Sequence, residues 1–298
     1  MIGSRYELQD RVVLITGGAR GIGADAAQRL VARGARVAVV DQDAAAVQRK
    51  AAELGDAAAA FTADVTDAGA LDAAVEGAVA RFGGIDVVIA NAGISGTVST
   101  VAAVDRASFE RVIEVNLLGV WRTVRATLPY VVERRGYVLP IASVAAALPV
   151  PLLAAYAASK AGVEGFARSL RMEVLATGTR VGVGYFSFID TDMVRDARAQ
   201  PTAMQAMRVL PGGFSGALPV GAAGEAIVRG VQRRSKRVYA PRWVPALLAL
   251  RGLSGPLDDL AARDPRFVKA CRLAAQAQPA EIITAPETQD DHTEAVSR

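Results

Sequence analysis

Eight residues decide the fold of this chain: Thr16-Gly17-Gly18-Ala19-Arg20-Gly21-Ile22-Gly23. They follow an apolar run, 12–15, and open into an alanine-rich segment, which together predict a strand, a glycine turn and a helix. Glycines at 17, 21 and 23 permit positive φ and let a phosphate approach the first amides of the helix. The spacing differs from the commoner G-x-G-x-x-G, so by itself the stretch fits a plain tight turn as well as a diphosphate site.

A carboxylate near this turn favours the nucleotide interpretation. The second apolar run, 37–40, ends at Asp41. In a dinucleotide-binding fold, a carboxylate at the end of the second strand accepts hydrogen bonds from the adenosine ribose. The two features together predict a dinucleotide site.

Composition limits the classes of protein to consider. The chain has 298 residues, of which 52% are hydrophobic and 21% charged, as expected for a soluble globular protein with one sizeable core and extensions. The single cysteine, Cys271, excludes an internal disulfide, and the start lacks a secretory pattern, so we expect a cytoplasmic protein. The net charge is only +4, so we expect no nucleic-acid partner.

Apolar runs alternate with alanine-rich helical patterns at a period of about thirty residues, which predicts βαβ units and a parallel sheet. Helices then cover both faces, and ligands bind at the carboxyl ends of the strands. The predicted strands are 11–16, 36–40, 58–62, 85–90, 136–142, 180–186 and 237–240. The predicted helices are 22–33, 43–54, 67–82, 106–133, 153–176 and 219–234.

Two strand exits carry candidate ligand residues. Asp64-Val65 follows the third strand and could bracket a flat heterocycle, or Asp64 could belong to a helix N-cap with the residues that follow. Asn91-Ala92-Gly93 follows the fourth strand, where small residues permit close backbone approach and the amide can pin neighbouring strands. For Asn91 we favour structural support over chemistry.

Two polar or rigid residues interrupt apolar patterns further on. Asn116 lies inside the predicted helix 106–133, where a buried amide must find partners, so by itself it is best explained as a satisfied core asparagine. Pro140 lies in the fifth strand, which ends at Ser143. Because proline donates no hydrogen bond, a central strand here requires a missing or distorted bond.

Tyr156 and Lys160 are four residues apart in a predicted helix, so both side chains can face one cleft. A neighbouring cation favours the phenolate and lowers the tyrosine pKa from its usual value of about 10. Such pairs are common on helices, and alone this one would indicate only a surface.

In combination these motifs resemble the classical short-chain dehydrogenase/reductase family, over residues 8 to about 240. The resemblance implies a Rossmann-type α/β domain, doubly wound, with a seven-stranded parallel sheet and helices on both faces. The motifs that carry it, in order, are residues 16–23, Asp41, Asp64-Val65, Asn91-Ala92-Gly93, Asn116, Ser143 and Tyr156-x-x-x-Lys160.

The resemblance also implies a nicotinamide cofactor and residue roles. Tyr156 is then the acid/base and Lys160 lowers its pKa and holds the nicotinamide ribose. Ser143 bonds the substrate oxygen, and Asn116 holds a proton-relay water. No metal site is predicted. The implied cofactor-binding residues are Gly17, Arg20, Gly21, Ile22, Gly23, Asp41, Asp64, Val65, Asn91, Ala92, Gly93, Tyr156, Lys160, Ile189 and Thr191.

The choice of cofactor depends on two residues. Asp41 would repel the 2′-phosphate of NADP, whereas Arg20 could attract it. Since a basic residue beside the glycines accompanies either cofactor in the family, we predict NAD and keep NADP as the minority alternative.

One segment departs from the family pattern. Phe186-Ser187 replaces the usual Pro-Gly, while Ile189 and Thr191 match. The departure, with Pro140, keeps open the alternative of a dinucleotide-binding protein with little catalysis. A Ser-His-Asp hydrolase is not expected, because the only histidine, His292, lies in the polar tail.

Apolar residues suggest the substrate. The region of about 190–218 corresponds to the family's mobile substrate lid, and an ordinary amphipathic helix is the alternative. We predict a lipophilic secondary alcohol or ketone, a steroid or terpenoid among the candidates. The apolar residues are Met193, Met204, Met207, Leu210 and Phe214 in the lid, and Leu148, Val150, Leu152 and Leu153 beside the catalytic loop.

The chain divides into a catalytic domain, 1–240, and a C-terminal extension, 241–298, which we expect to be helical and then mobile from about Glu281. Basic residues within 229–242 precede the apolar run 243–250, a pattern that predicts peripheral membrane contact through 242–254. Packing on the protein body is the favoured alternative. The resemblance implies a homo-dimer or homo-tetramer.

Overall fold

The computed structural model describes residues 5–148, 150–199, 216–253 and 263–276. The strands are β1 (Val12–Thr16), β2 (Arg36–Asp41), β3 (Ala58–Thr62), β4 (Val87–Ala90), β5 (Tyr137–Pro140), β6 (Arg180–Val181), β7 (Gly184–Phe186) and β8 (Val238–Ala240). The α-helices are α1 (Gly21–Val31), α2 (Ala44–Leu54), α3 (Ala68–Phe82), α4 (Arg106–Ile113), α5 (Gly119–Glu133), α6 (Ala154–Glu173), α7 (Asp192–Ala199), α8 (Val220–Arg233), α9 (Val244–Leu250) and α10 (Pro265–Gln276).

The main sheet is parallel, with strand order β3-β2-β1-β4-β5-β6. The chain runs outward from β1 through β2 to β3, then returns to place β4 on the other side of β1. The strand order therefore reverses between β1 and β4, which is where open α/β sheets bind their ligands. The register pairs Thr16 with Ala90 at this point. The predicted doubly wound Rossmann-type fold is confirmed.

The predicted sixth strand, 180–186, is split, so the structure has a six-stranded sheet and a two-stranded sheet, β7-β8. A bridge between Ile141 and Gly184 joins them. Gly182 donates to the carbonyl of Val138 at 2.9 Å, and Ala142 donates to Gly184 at 2.8 Å. Alternate residues of β5 face the same neighbouring strand. The nitrogen of Pro140 therefore points to the side of these two bonds and lies between them. Because proline has no N–H, the pairing is interrupted there, and the expected seven continuous strands become six plus two.

Helices cover both faces of the sheet, and each face has its own core. β1 is buried along its whole length, as expected for a strand enclosed between two helical layers. One core contains Leu14 with residues of α3, α5 and α6, and the other contains Ile15 with residues of α1, α2 and α8. The alternate residues of β1 therefore divide between the two layers.

Aspartates begin three of the helices. Asp43, Asp67 and Asp105 accept hydrogen bonds from the backbone three residues on and so cap α2, α3 and α4. Asp67, rather than Asp64, is the cap of α3. Within the described ranges α1 begins without a side-chain cap, at Gly21, so its first amides stay available to an anion.

The predicted helix 106–133 contains an irregular turn. α4 and α5 are joined by a π-helical turn, Glu114–Leu118, and Asn116 lies inside it, fully buried. A π-turn adds one residue to the helix and re-aims the side chains that follow, and such turns are frequent at functional sites. The periodicity of the sequence carried no sign of it.

The segment after β8 packs on the protein body. Val244 and Leu248 of α9 belong to the core shared with α6, and Arg251 pairs with buried Glu164 at 2.7 and 2.9 Å. These two apolar residues are therefore unavailable to a lipid surface. Across the described parts of the chain, every helix is too short or too polar to cross a membrane. The residues Met204, Met207, Leu210 and Phe214 of the predicted lid, together with His292 and the tail from Glu281, lie outside the described residues.

Candidate active site

The glycine turn forms a narrow cradle at the carboxyl end of β1. Gly17 and Gly21 have φ of +62° and +52°. A Cβ on Gly17 would lie 2.9 Å from the Cα of Ala92, and a Cβ on Gly23 would collide with the Gly17 carbonyl oxygen. Only glycine fits these positions, so the turn leaves backbone amides open to a phosphate. The residues present therefore fit the diphosphate of a dinucleotide.

Asn91 ties the cradle to the neighbouring strand. Its Nδ2 donates to the carbonyl oxygens of Thr16 and Gly17 at 3.1 and 3.0 Å, and its backbone N–H donates to Thr16 Oγ1 at 3.2 Å. The side chain thus joins β1 to β4 at the reversal of strand order, the support predicted for it. The contribution of the Thr16 hydroxyl was not predicted, although a threonine directly before the glycines was a signal.

The crevice is acidic where β2 ends. Asp41 accepts hydrogen bonds from the backbone N–H groups of Ala19 at 3.2 Å and Asp43 at 3.3 Å, so its carboxylate faces the glycine turn. Arg20 is paired with Asp43. A capping bond from Ala46 and the charge of Arg20 together lower the pKa of Asp43. The charge of Arg20 is thereby compensated before any ligand binds.

Asp64 and Val65 lie at the end of β3 and have different surroundings. Asp64 accepts from Thr66 N–H and from Arg111, both at 2.9 Å. Burial raises the pKa of Asp64, but these hydrogen bonds outweigh it, and the pKa lies below its usual range. Val65 is buried against Gly119, at the start of α5. A Cβ added to Gly119 would lie 2.6 Å from the Val65 side chain.

Tyr156 and Lys160 lie on α6, and Ser143 follows β5 at the same edge of the sheet. The Nζ of Lys160 is 5.7 Å from the centre of the Tyr156 ring and donates to the Ile141 carbonyl at 2.9 Å. Ser143 Oγ donates to the Phe186 carbonyl at 3.2 Å and lies near enough to Tyr156 to lower the pKa of its hydroxyl. The three side chains expected to meet are therefore brought together.

Asn116 adjoins this group from the π-turn. Its side chain accepts from Ile94 N–H and donates to the Ile94 carbonyl, both at 2.8 Å, and donates to Ser159 Oγ at 3.2 Å. Gly93 lies between it and the lysine: a Cβ there would be 3.1 Å from Asn116 Oδ1 and 3.5 Å from Lys160 Nζ. Asn116 is the satisfied core asparagine that the sequence favoured. Ser159 was missed as its partner.

Burial controls the electrostatics of the pair. It lowers the pKa of Lys160 to about 8, and it raises the pKa of Tyr156, an effect that the hydrogen bond with Ser143 only partly offsets. The predicted lowering of the tyrosine pKa by the lysine is therefore wrong for the protein by itself. The ammonium donates to the Ile141 carbonyl, and a phenolate buried at Tyr156 would be poorly solvated.

Ile189 and Thr191 follow β7. Ile189 is buried and forms a bridge with Leu218, while a Cβ on Gly21 would lie 3.2 Å from Thr191 Cγ2. Thr191 thus reaches the glycine turn from the opposite side of the crevice. Ser187, in the departure from the family pattern, donates through its backbone to Ala240 at 3.0 Å and remains in line with β8.

A small pocket opens beside Tyr156, between the loop after β4, α4 and the start of α6. Apolar side chains dominate its walls, and the remaining side chains carry hydroxyl groups. Within the described parts of the chain, no three His, Cys, Asp or Glu side chains form a group that could hold a metal. The main lining residues are Ser95, Thr97, Val101, Val104, Phe109, Val112, Leu152, Leu153 and Tyr156.

Comparison with protein families identifies the chain. The model of the family described as short chain dehydrogenase matches residues 11–202. The chain belongs to the short-chain dehydrogenase family. Its members are oxidoreductases with a nucleotide-binding fold, and this short-chain dehydrogenase has the family's fold.

Several proteins with named activities are similar to more than half of this chain. 2-Dehydro-3-deoxy-L-rhamnonate dehydrogenase (NAD(+)) of Sphingomonas sp. is 38% identical over 169 residues, 56% of this chain and 68% of that protein. 3beta-Hydroxysteroid dehydrogenase 1 of Eggerthella lenta is 35% identical over 221 residues, 71% of this chain and 83% of that protein. The crystal structure of 3-ketoacyl-(acyl-carrier-protein) reductase from Brucella melitensis complexed with NADH has a TM-score of 0.71 and 30% identity, covering 78% of this chain and 97% of that one.

Proposed function

We propose that this short-chain dehydrogenase interconverts a lipophilic secondary alcohol and its ketone with NAD(H), with Tyr156 as the acid/base. The observation that carries the proposal is the meeting of Tyr156, Ser143 and Lys160 at the carboxyl edge of the sheet, beside the glycine cradle. When bound, the nicotinamide supplies or takes up the hydride. The protein's own groups handle the proton and the charge on oxygen.

The raised pKa of Tyr156 keeps its phenol protonated near neutral pH. A protonated phenol can donate its proton to a ketone oxygen as hydride reaches the carbon, and the Ser143 hydroxyl can hold the developing negative charge. In the reverse direction the phenolate takes the proton of the alcohol. Lys160, directed by Ile141, has further N–H donors for the nicotinamide ribose. Asn116 keeps Ile94 in place beside this group and would hold a relay water.

The acidic end of the crevice, at Asp41, supports NAD over NADP. Asp41 faces the glycine turn, and Arg20 is already paired with Asp43. A 2′-phosphate would therefore meet a carboxylate and no uncompensated cation from these three residues. The name of the Sphingomonas relative specifies NAD(+), and the Brucella structure holds NADH.

The apolar walls of the pocket support a lipophilic substrate. Val101, Phe109 and Leu152 line it, and the polar groups are hydroxyls rather than charges. One of the similar proteins, from Eggerthella, is named for a hydroxysteroid. A secondary alcohol on a rigid apolar ring is the substrate class we favour.

Exposed apolar side chains on α5 and α6 support a homo-oligomer. Trp121 and Met172 are 44% and 75% exposed. Burying such residues against a second copy removes apolar surface from water. Light scattering coupled to gel filtration should then give a mass of two or four chains.

The reaction is tested with purified protein, NAD and a panel of lipophilic secondary alcohols, with the reverse reaction run on the ketones. We expect turnover with at least one substrate and a loss of about 10²–10⁴-fold in Tyr156→Phe, the range of acid–base catalysis. Tyr239→Phe, a change of the same size at an exposed tyrosine, is the control and should leave turnover unchanged. Tight NAD binding without turnover on the whole panel would instead favour a binding protein with little catalysis.

A further inference from the structure

The helix α10, near the end of the chain, packs against the two loops that flank the active site. Ala270 and Ala274 are four residues apart on one face, at 0% and 1% exposure. They form a separate apolar cluster with Val98, in the loop after β4, and Leu152, just before α6. Two alanines on one face allow close approach of the helix to these loops.

Leu152 has an unfavourable backbone conformation. Its φ is +66°, in the left-handed region that residues other than glycine rarely adopt. The residue lies four positions before Tyr156 and lines the same pocket. Such strain persists only where surrounding contacts determine the conformation, and it is often found at active sites.

The contacts that hold Leu152 come from two directions. Its carbonyl oxygen accepts a hydrogen bond from Ser99 N–H at 2.9 Å, and its side chain is buried in the cluster with Ala270 and Ala274. The helix α6 follows directly. Among the described residues, it begins after Leu153 without a side-chain capping bond. Packing must therefore determine how α6 begins, and Tyr156 lies in its first turn.

We propose that α10 is an intramolecular clamp, in which Ala270 and Ala274 hold Leu152 in its left-handed conformation and so position Tyr156. The two alanines are positioning residues that act through Leu152. The proposal rests on the proposed function for its activity readout only, because the docking of the helix can be measured without a substrate.

The test compares two variants of the full-length chain. Ala274→Glu places a charge in the buried contact, while Ala275→Glu makes the same change at the next, exposed position of α10. Cys271, half-buried beside the cluster and the single cysteine of the chain, reports docking through its rate of reaction with a thiol reagent. We expect faster labelling, and faster amide hydrogen exchange at 97–101 and 152–157, in Ala274→Glu only.

Turnover then tests positioning. We expect kcat of Ala274→Glu to fall roughly ten- to a hundredfold, as small misplacements of catalytic groups do, with NAD affinity unchanged because the glycine cradle is not touched. Equal labelling, exchange and kcat in the two glutamate variants would overturn the proposal.

If Ala274→Glu does not fold, the contact between α10 and Leu152 can be perturbed in the folded natural chain instead. A bulky maleimide on Cys271 of the folded natural chain should increase hydrogen exchange at 152–157 and lower kcat, and the Cys271→Ser chain should not respond. A labelled chain with unchanged exchange at 152–157 would refute the clamp. If no alcohol or ketone is turned over, the proposed function fails, while labelling and exchange still decide whether α10 holds Leu152.

Discussion

The Nζ of Lys160 lies over the Tyr156 ring, 5.7 Å from its centre, and donates a hydrogen bond to the Ile141 carbonyl at 2.9 Å. The lysine is 4% exposed, and burial lowers its pKa to about 8 from the usual 10.5. A protonated amine at this place therefore costs folding free energy. The helix α6 keeps both groups at the edge of the sheet in spite of that cost.

This cost predicts a pH dependence of stability. Between pH 8 and 10.5 the unfolded chain binds a proton at Lys160 that the folded chain releases, so this residue makes stability rise with pH in that window. Lys160→Met removes the effect. The variant should gain stability relative to the natural chain at pH 7, and this gain should shrink by about 2 kcal/mol by pH 9.5. Urea unfolding at both pH values measures it.

Lys236→Met, which makes the same substitution at an exposed lysine, is the control. A gain for Lys160→Met that is the same at both pH values would show that the amine does not titrate in this window.

Cofactor choice should respond to the charge of Asp41. Asp41→Asn keeps an acceptor for Ala19 N–H while removing the repulsion of a 2′-phosphate. We expect NADP to bind roughly tenfold more tightly, from a charge interaction of about 1 kcal/mol or more at contact distance. Titration calorimetry with both cofactors checks this, with Asp56→Asn, at an exposed carboxylate outside the site, as the control. An unchanged ratio of the two affinities would remove Asp41 as the determinant.

Glycine positions in the core and on the surface should respond in opposite directions to alanine. At Gly182 a Cβ would collide with the Tyr137 hydroxyl and the Ser235 carbonyl, so Gly182→Ala should lower the free energy of unfolding by about 1–3 kcal/mol. At Gly165, in α6, a Cβ meets nothing within 4 Å, so Gly165→Ala should raise it by about 0.5–1 kcal/mol. Urea unfolding compares the two, and equal effects would contradict the packing described here.

The carboxylate of Asp86, fully buried at the start of β4, should contribute strongly to stability. It accepts hydrogen bonds from Arg11 at 2.7 Å, from Val12 N–H at 3.0 Å and from Arg134 at 3.3 Å. Asp86→Ala leaves these donors without their acceptor and should cost about 2–4 kcal/mol. Arg36→Ala, which breaks the exposed pair with Asp10, should leave the unfolding midpoint in place. Similar midpoints for the two variants would disprove the assignment.

The fold could be predicted because its signals are local and agree with one another. The run 12–15, the glycine turn and Asp41 each define a strand end or a helix start within a few residues, and continuous apolar runs are typical of strands enclosed by helices. Tyr156 and Lys160 were paired correctly because residues four apart share a face of a helix. Pro140 even indicated a defect in the ladder, although not that it would divide the sixth strand.

The sequence by itself thus determined the order of strands and helices, the glycine cradle, and the candidates Asn116, Ser143, Tyr156 and Lys160. Tertiary structure alone decided the π-turn around Asn116, the pairing of Arg20 with Asp43, and the packing of α10 on Leu152. It also decided the direction of the Tyr156 pKa. These properties depend on burial and on contacts between segments far apart in the chain. Periodicity and spacing describe only neighbours along the sequence, so they carry no measure of how completely a side chain is removed from water.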